Sequence, residues 1–85
     1  MQQEIVEKLR EILVKDLFVD IPTDMIGETD GLQTVVGLDS VGFIELRAAA
    51  EQHFGIEISD DDFGPENFRS IGDLAHLVMR LKGSI

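Results

Sequence analysis

No cysteine occurs among the 85 residues of this chain, so no disulfide can staple it, and no cysteine and histidine cluster offers ligands for a structural zinc. Packing alone must then stabilise the fold. A chain this short has apolar surface for one core only, which predicts a single domain over residues 1–85. Compact helix packing is the arrangement that meets both conditions.

The apolar stretches are short and broken by charges, well below the roughly 20 consecutive residues that cross a bilayer. The opening Met1-Gln2-Gln3-Glu4 lacks the basic and then apolar pattern of a leader. A soluble, cytoplasmic protein is expected, and the missing cysteines are compatible with a reducing compartment. Seventeen acids against seven bases give a formal net charge of −10, which repels both a nucleic-acid backbone and an anionic membrane surface. Neither is expected as a partner, whereas basic protein surfaces are. The charge is concentrated, with twelve acids between Asp20 and Glu66 against the single base Arg47. A solvated surface is the plain account of such residues, so function needs a further signal.

Ile5, Val6, Leu9, Ile12 and Leu13 fall on one helical stripe from Glu4 to about Leu17. From Phe18 to Leu38, Pro22, Gly27, Gly31 and Gly37 break any period while Ile21, Ile26, Leu32 and Val35 keep the segment apolar. This predicts a long loop pinned across the molecule, with room for a helical turn near Leu32 to Val36. A second helix is predicted from Asp39 or Ser40, either of which can cap it, to about Phe54, with Gly55 in the left-handed position that follows. Val41, Ile44, Leu46, Ala48, Ala49 and Phe54 are its expected buried side. The run Ala48-Ala49-Ala50 suggests close approach to a neighbouring helix, and ordinary dense packing rather than an internal cavity is the expectation there.

Ile56-Glu57-Ile58 alternates like a strand but has no strand to pair with, so an extended segment that plugs the core is predicted. A short third helix or turn falls on Asp60 to Phe63 or on Pro65 to Phe68. The last helix is capped by Ser70, with Asp73 three residues on and Ile71, Leu74, Ala75, Leu77, Val78 and Leu81 as its stripe. The predicted fold is all-α: a small four-helix bundle of three main helices plus a short third one, with a long loop between helices 1 and 2.

The segment Gly37-Leu38-Asp39-Ser40-Val41 sets a serine at the junction of loop and helix, held on both sides by apolar anchors. Its hydroxyl is therefore expected to be exposed and fixed. Together with the amphipathic first helix, the long apolar loop, Glu45-Leu46, Phe54, Ile56, Ile58, the acidic third segment and the Ser70-Ile71 opening of the last helix, this resembles the acyl carrier protein family over nearly the whole chain. The family's modification site reads Asp-Ser-Leu or a close variant at the start of the second of four helices; here it reads Asp39-Ser40-Val41.

The resemblance implies that a phosphopantetheinyl transferase attaches 4′-phosphopantetheine covalently to Ser40, with Asp39 capping the helix or helping to dock that enzyme. It implies a non-catalytic carrier whose arm holds acyl groups as thioesters. Glu45, Arg47, Glu51, Asp60, Asp61 and Asp62 are the implied partner-binding residues, steering an acyl-loading enzyme and a synthase or acyltransferase with basic docking surfaces. A monomer is expected. The Gly37-Leu38-Asp39-Ser40 entry resembles fatty-acid and polyketide carriers, while Asp60-Asp61-Asp62-Phe63, Pro65-Glu66-Asn67-Phe68 and the Phe18-Val19-Asp20-Ile21-Pro22 loop resemble the small free-standing carriers of polyketide pathways. Three residues depart from the commonest pattern: Val41 after the serine, Gly42 in the first helical turn, and Arg47, which is either a partner residue or paired with Glu51 four positions on.

Other chemistries fit less well. Asp60, Asp62 and Gly64 open like a calcium loop, but Pro65 and Ile71 stand where Gly and Glu are needed. Ser40 with Gly42 lacks the preceding strand and glycine of a hydrolase elbow. His53 and His76 have no implied role. The rival reading is an unmodified acidic interaction module, an inhibitor or nucleic-acid mimic, in which Ser40 is only a cap.

Overall fold

In a computed structural model, which describes residues 2–83, the first stripe forms helix α1 (Gln2–Glu11), with Ile5, Val6 and Leu9 buried. The helix continues as one wide turn of π type over Ile12–Asp16, which keeps Ile12 and Leu13 in the core. It ends where Leu17 N donates to Ile12 O at 3.1 Å and Val19 N to Leu13 O at 2.9 Å. Between them Phe18 adopts a φ of +58°, the left-handed conformation that helix endings commonly require and that glycine or asparagine takes with least strain. The Phe18 ring is 83 % exposed and so gains almost nothing from burial. Phe18→Asn is expected to raise the unfolding free energy by about 1 kcal/mol, read as a higher urea midpoint at unchanged slope.

The loop from Phe18 to Asp39 is pinned as its apolar content predicts. Ile26 and Leu32 are buried, and a short 3-10 turn occupies Thr23–Met25. Arg10 of α1 donates to Ile26 O at 2.7 Å. Gly72 N donates to Glu28 O at 2.9 Å, Leu32 N to Arg69 O at 2.9 Å, and Gly31 forms an isolated antiparallel bridge with Ser70. The predicted turn near Leu32 is present, closed by Val35 N on Gly31 O at 2.9 Å. Backbone groups that a long loop would leave unpaired are thus satisfied by α1 and by the entry to the last helix.

Helix α2 spans Ser40–Phe54 and ends at Gly55 with a φ of +66°; helix α3 spans Ile71–Leu81. α3 lies chiefly against α1, and its stripe of Ile71, Leu74, Ala75, Leu77 and Val78 is buried as predicted. Ser70 caps α3, its Oγ accepting from Asp73 N at 3.3 Å. The buried side of α2 differs in part from the predicted one: Leu46 is buried and Ala49 and Phe54 pack half-buried against the core as expected, but the other three do not. Gly42, Leu46 and Ala50 face inward, whereas Val41 and Ile44 are 62 % and 58 % exposed and Ala48 also faces solvent. The apolar residues of α2 fall on two stripes separated by polar ones, so period alone cannot choose the inward stripe. Leu38 helps to decide it. It packs over the first turn of α2 so closely that a Cβ on Gly42 would lie 3.1 Å from Leu38 Cδ2. Of the three alanines, only Ala50 is fully buried.

Between α2 and α3 the expected short third helix takes the form of two successive single turns. One is closed by Phe63 N on Ser59 O at 2.9 Å and the other by Phe68 N on Gly64 O at 3.2 Å, so both stretches that the sequence left open are used. Pro65 separates them, because the residue before a proline is pushed out of helical geometry. The described residues contain no strand, and the fold is all-α.

Candidate functional site

The chain enters α2 through Gly37, whose φ of +87° is readily available only to glycine. Leu38 follows, its N–H donated to Leu32 O at 2.9 Å and its side chain buried. Asp39 is extended, and its Oδ1 accepts from Gly42 N at 2.8 Å. Of the two candidate caps, then, Asp39 does the capping. Ser40 is the first helical residue and is exposed, so its hydroxyl is not consumed by the helix it begins. Asp39→Ala is expected to cost about 1 kcal/mol of stability, the usual value of such a cap, measurable by urea unfolding.

Ser40 stands on the rim of an open cleft of about 360 Å³. Gln33, Thr34 and Leu38 line it from the loop, Phe43 from α2, and Phe63, Pro65, Phe68 and Arg69 from the side of the segment between α2 and α3. Phe63 and Phe68 meet edge to face, ring centroids 5.0 Å apart, which gives that side a rigid aromatic surface. The cleft is therefore lined chiefly by apolar surface, with Ser40 among its lining residues.

The six residues expected to meet partners separate into two groups. Glu45, Asp60 and Asp61 are exposed. Arg47, Glu51 and Asp62 are half-buried and engaged within the molecule. Arg47 does not pair with Glu51. It donates to Ile58 O, forms an ion pair with Asp60 at 3.1 Å and lies over the Phe63 ring at 4.8 Å. Glu51 instead accepts from Ile58 N at 2.8 Å. In the strand-like Ile56-Glu57-Ile58 segment, both backbone groups of Ile58 thus find partners on two side chains of α2, while Ile56 N donates to the Glu51 carbonyl at 3.2 Å. Asp62 accepts from Arg80 of α3 at 3.1 Å, and His53 hydrogen-bonds Asp16 at 2.8 Å, tying the end of α2 to the end of the π turn.

Sequence reasoning missed the exposed stripe of Val41, Ile44 and Ala48, which flanks Glu45 on the outer face of α2 and runs from the residue next to Ser40 to about two turns beyond it. A second apolar stripe on a helix that needs only one was the available signal. No helix among the described residues is long and apolar enough to cross a membrane, and no group of three or more metal-ligating side chains occurs among them.

The cofactor that the Asp39-Ser40 entry implies is covalent, so the test of fit is a reachable hydroxyl with room beside it. Ser40 meets both conditions. A phosphodiester there would also sit at the positive end of α2, where first-turn amides favour an anion.

The chain matches the family described as phosphopantetheine attachment site over residues 7–78. It is similar in structure to the acyl carrier protein of Enterococcus faecalis, with a TM-score of 0.75 at 23 % identity, covering 95 % of this chain and 98 % of that one. It is also similar to a holo acyl carrier protein of Nitrosomonas europaea, with a TM-score of 0.78 at 26 % identity, covering 94 % of this chain and 96 % of that one. A family match over most of the length and a shared fold end to end leave one assignment: the chain belongs to the phosphopantetheine attachment-site family as a carrier of the acyl carrier protein type, with 4′-phosphopantetheine as its covalent cofactor.

Proposed function

We propose that Ser40 is the attachment residue and that the protein passes acyl groups between biosynthetic enzymes, in polyketide or related secondary metabolism. When bound, the cofactor supplies a flexible arm ending in a thiol on which acyl groups ride as thioesters. The chain itself contributes no catalytic group to loading. A phosphopantetheinyl transferase brings the metal and the base, and this protein presents a hydroxyl held still by Leu38 on one side and the α2 ladder on the other.

The observation that carries the reading is the division of labour at the helix start: Asp39 caps, so the exposed Ser40 hydroxyl remains available for modification. The rival interaction-module reading needs Ser40 as a cap, and Asp39 already fills that role.

Val41, Ile44 and Glu45 support a docking role for the outer face of α2, with Asp60 and Asp61 as a second acidic patch. Small apolar contacts ringed by exposed acids suit partners that bind fast through basic surfaces and leave fast, since exposed charges raise association rates more than they hold. Arg47, Glu51 and Asp62, engaged inside the molecule, are less suited to that work. The pathway assignment rests on the likeness of the Asp60 to Phe68 and Phe18 to Pro22 stretches to free-standing polyketide carriers, and a cytoplasmic site of action goes with it.

Intact mass tests the attachment. Incubated with coenzyme A and a broad-specificity phosphopantetheinyl transferase, the chain is expected to gain one phosphopantetheinyl group, carried on the peptide that contains Ser40. No gain, or a gain on another peptide, overturns the proposal.

A further inference from the structure

We infer that Arg47 is a positioning residue: it latches the Ser59–Phe63 turn to α2 and so sets the far wall of the cleft beside Ser40. As a deepening of the reading above, the inference rests on Ser40 carrying the arm only for its functional half; the latch itself stands on geometry.

One guanidinium makes three contacts on one segment. It donates to Ile58 O, pairs with Asp60 Oδ1 at 3.1 Å and covers the Phe63 ring at 4.8 Å. A planar fork with five donors can make all three at once; a lysine ammonium cannot. Phe63 is the contact that reaches the site, because it lines the cleft and braces Phe68 at 5.0 Å. Phe43, which also lines the cleft, lies one turn before Arg47 on the same helix. One side chain thus ties the helix that carries Phe43 to the turn that carries Phe63.

The three limbs differ in strength. Asp60 is 97 % exposed, and such a pair is screened by salt and contributes little. The bond to Ile58 O is part-buried, and charge-assisted bonds of that kind are about twice as strong as neutral ones. The turn has two bonds of its own, Phe63 N on Ser59 O at 2.9 Å and Asp62 N on Ser59 Oγ at 3.1 Å, and Asn67 Nδ2 donates to Asp62 O at 3.0 Å, which ties the turn to the next one and not to α2. Glu51 holds only its leading residue, Ile58. The Asp62–Arg80 pair fixes the turn to α3, not to α2. Loss of Arg47 therefore frees the turn from α2 while the α1–α3 core stays closed.

Amide hydrogen exchange on the unmodified chain tests the latch. Arg47→Gln is expected to speed exchange at Asp62 and Phe63 by about tenfold, the change that loss of one ordinary charge-assisted bond brings, while Leu9 in α1 and Val78 in α3 keep their rates. Arg47→Lys is expected to fall between, and Asp60→Asn to lie within about twofold of the parent. Equal acceleration everywhere, or none at Phe63, overturns the latch. The chain loaded with an octanoyl thioester tests the reach to the cleft. On this inference the carbons next to the thioester lie against the Phe63 wall, so cleavage of that thioester by hydroxylamine is expected to quicken by about threefold in Arg47→Gln, where a loosened wall covers them less. An unchanged cleavage rate with a loosened turn overturns the inference, and a chain that accepts no arm at Ser40 overturns the carrier reading while leaving the exchange result to stand or fall alone.

Discussion

Ser40→Ala is expected to fold like the parent and to take up no phosphopantetheine at all. Both halves follow from the start of α2. The side chain is exposed and Asp39 supplies the cap, so removing one hydroxyl from the first helical position should shift the unfolding free energy by no more than about 0.5 kcal/mol. Alanine is also a better helix former than serine. The other described serines have other uses. Ser70 is buried and caps α3, and Ser59 Oγ accepts from Asp62 N. Neither can replace Ser40 without loosening the structure around it. The measurement is intact mass after incubation with coenzyme A and the transferase, beside a urea titration of the same sample. A retained mass gain would move the attachment elsewhere, and a large stability loss would show that Ser40 also serves the fold.

How much of this was legible in the sequence differs from element to element. The α1 and α3 stripes were readable because each helix has one apolar face and one charged face, so a 3.6-residue period has a single solution. The long loop was readable from its glycines and from the apolar residues it retains. α2 was readable in extent, from Asp39 and Gly55, but not in rotation. Its apolar residues occupy two stripes, and the inward one is chosen partly by Leu38 lying across Gly42, a contact between a loop and a helix that no local pattern reveals. Gly42 departs from the commonest pattern in the first turn, and its lack of a side chain is what lets Leu38 close over the helix. Arg47 and Glu51 invited a pairing by their four-residue spacing, yet each is better used on Ile58, whose backbone groups would otherwise be without partners. A tertiary need outweighed a local pair worth a few tenths of a kcal/mol. The same competition explains the acids: Asp60, Asp61 and Asp62 are equal by composition, and only the fold turns Asp62 toward Arg80 while leaving Asp61 in solvent.

With no cysteine in the chain and no metal-ligating cluster among the described residues, packing is what holds the domain, and Leu9→Ala is expected to be a severely damaging truncation outside the site. Leu9 is fully buried on the face of α1 that meets α3. Truncating a leucine so placed typically costs about 2–5 kcal/mol, the lost transfer free energy plus that of the cavity left behind. Stability of about 0.05–0.15 kcal/mol per residue puts the whole domain in the range of about 4–13 kcal/mol, so one methylene-rich side chain can account for half of it. The pinned loop adds to the effect, because Arg10, the next residue along α1, holds Ile26 O across the same helix; a shift of α1 into the cavity would pull on that anchor. Urea unfolding followed by far-ultraviolet circular dichroism is expected to show a midpoint lowered by about half, with the slope kept. A loss below about 1 kcal/mol would mean that α1 and α3 collapse to refill the space, and that the interface between them is softer than its buried leucines and valines indicate.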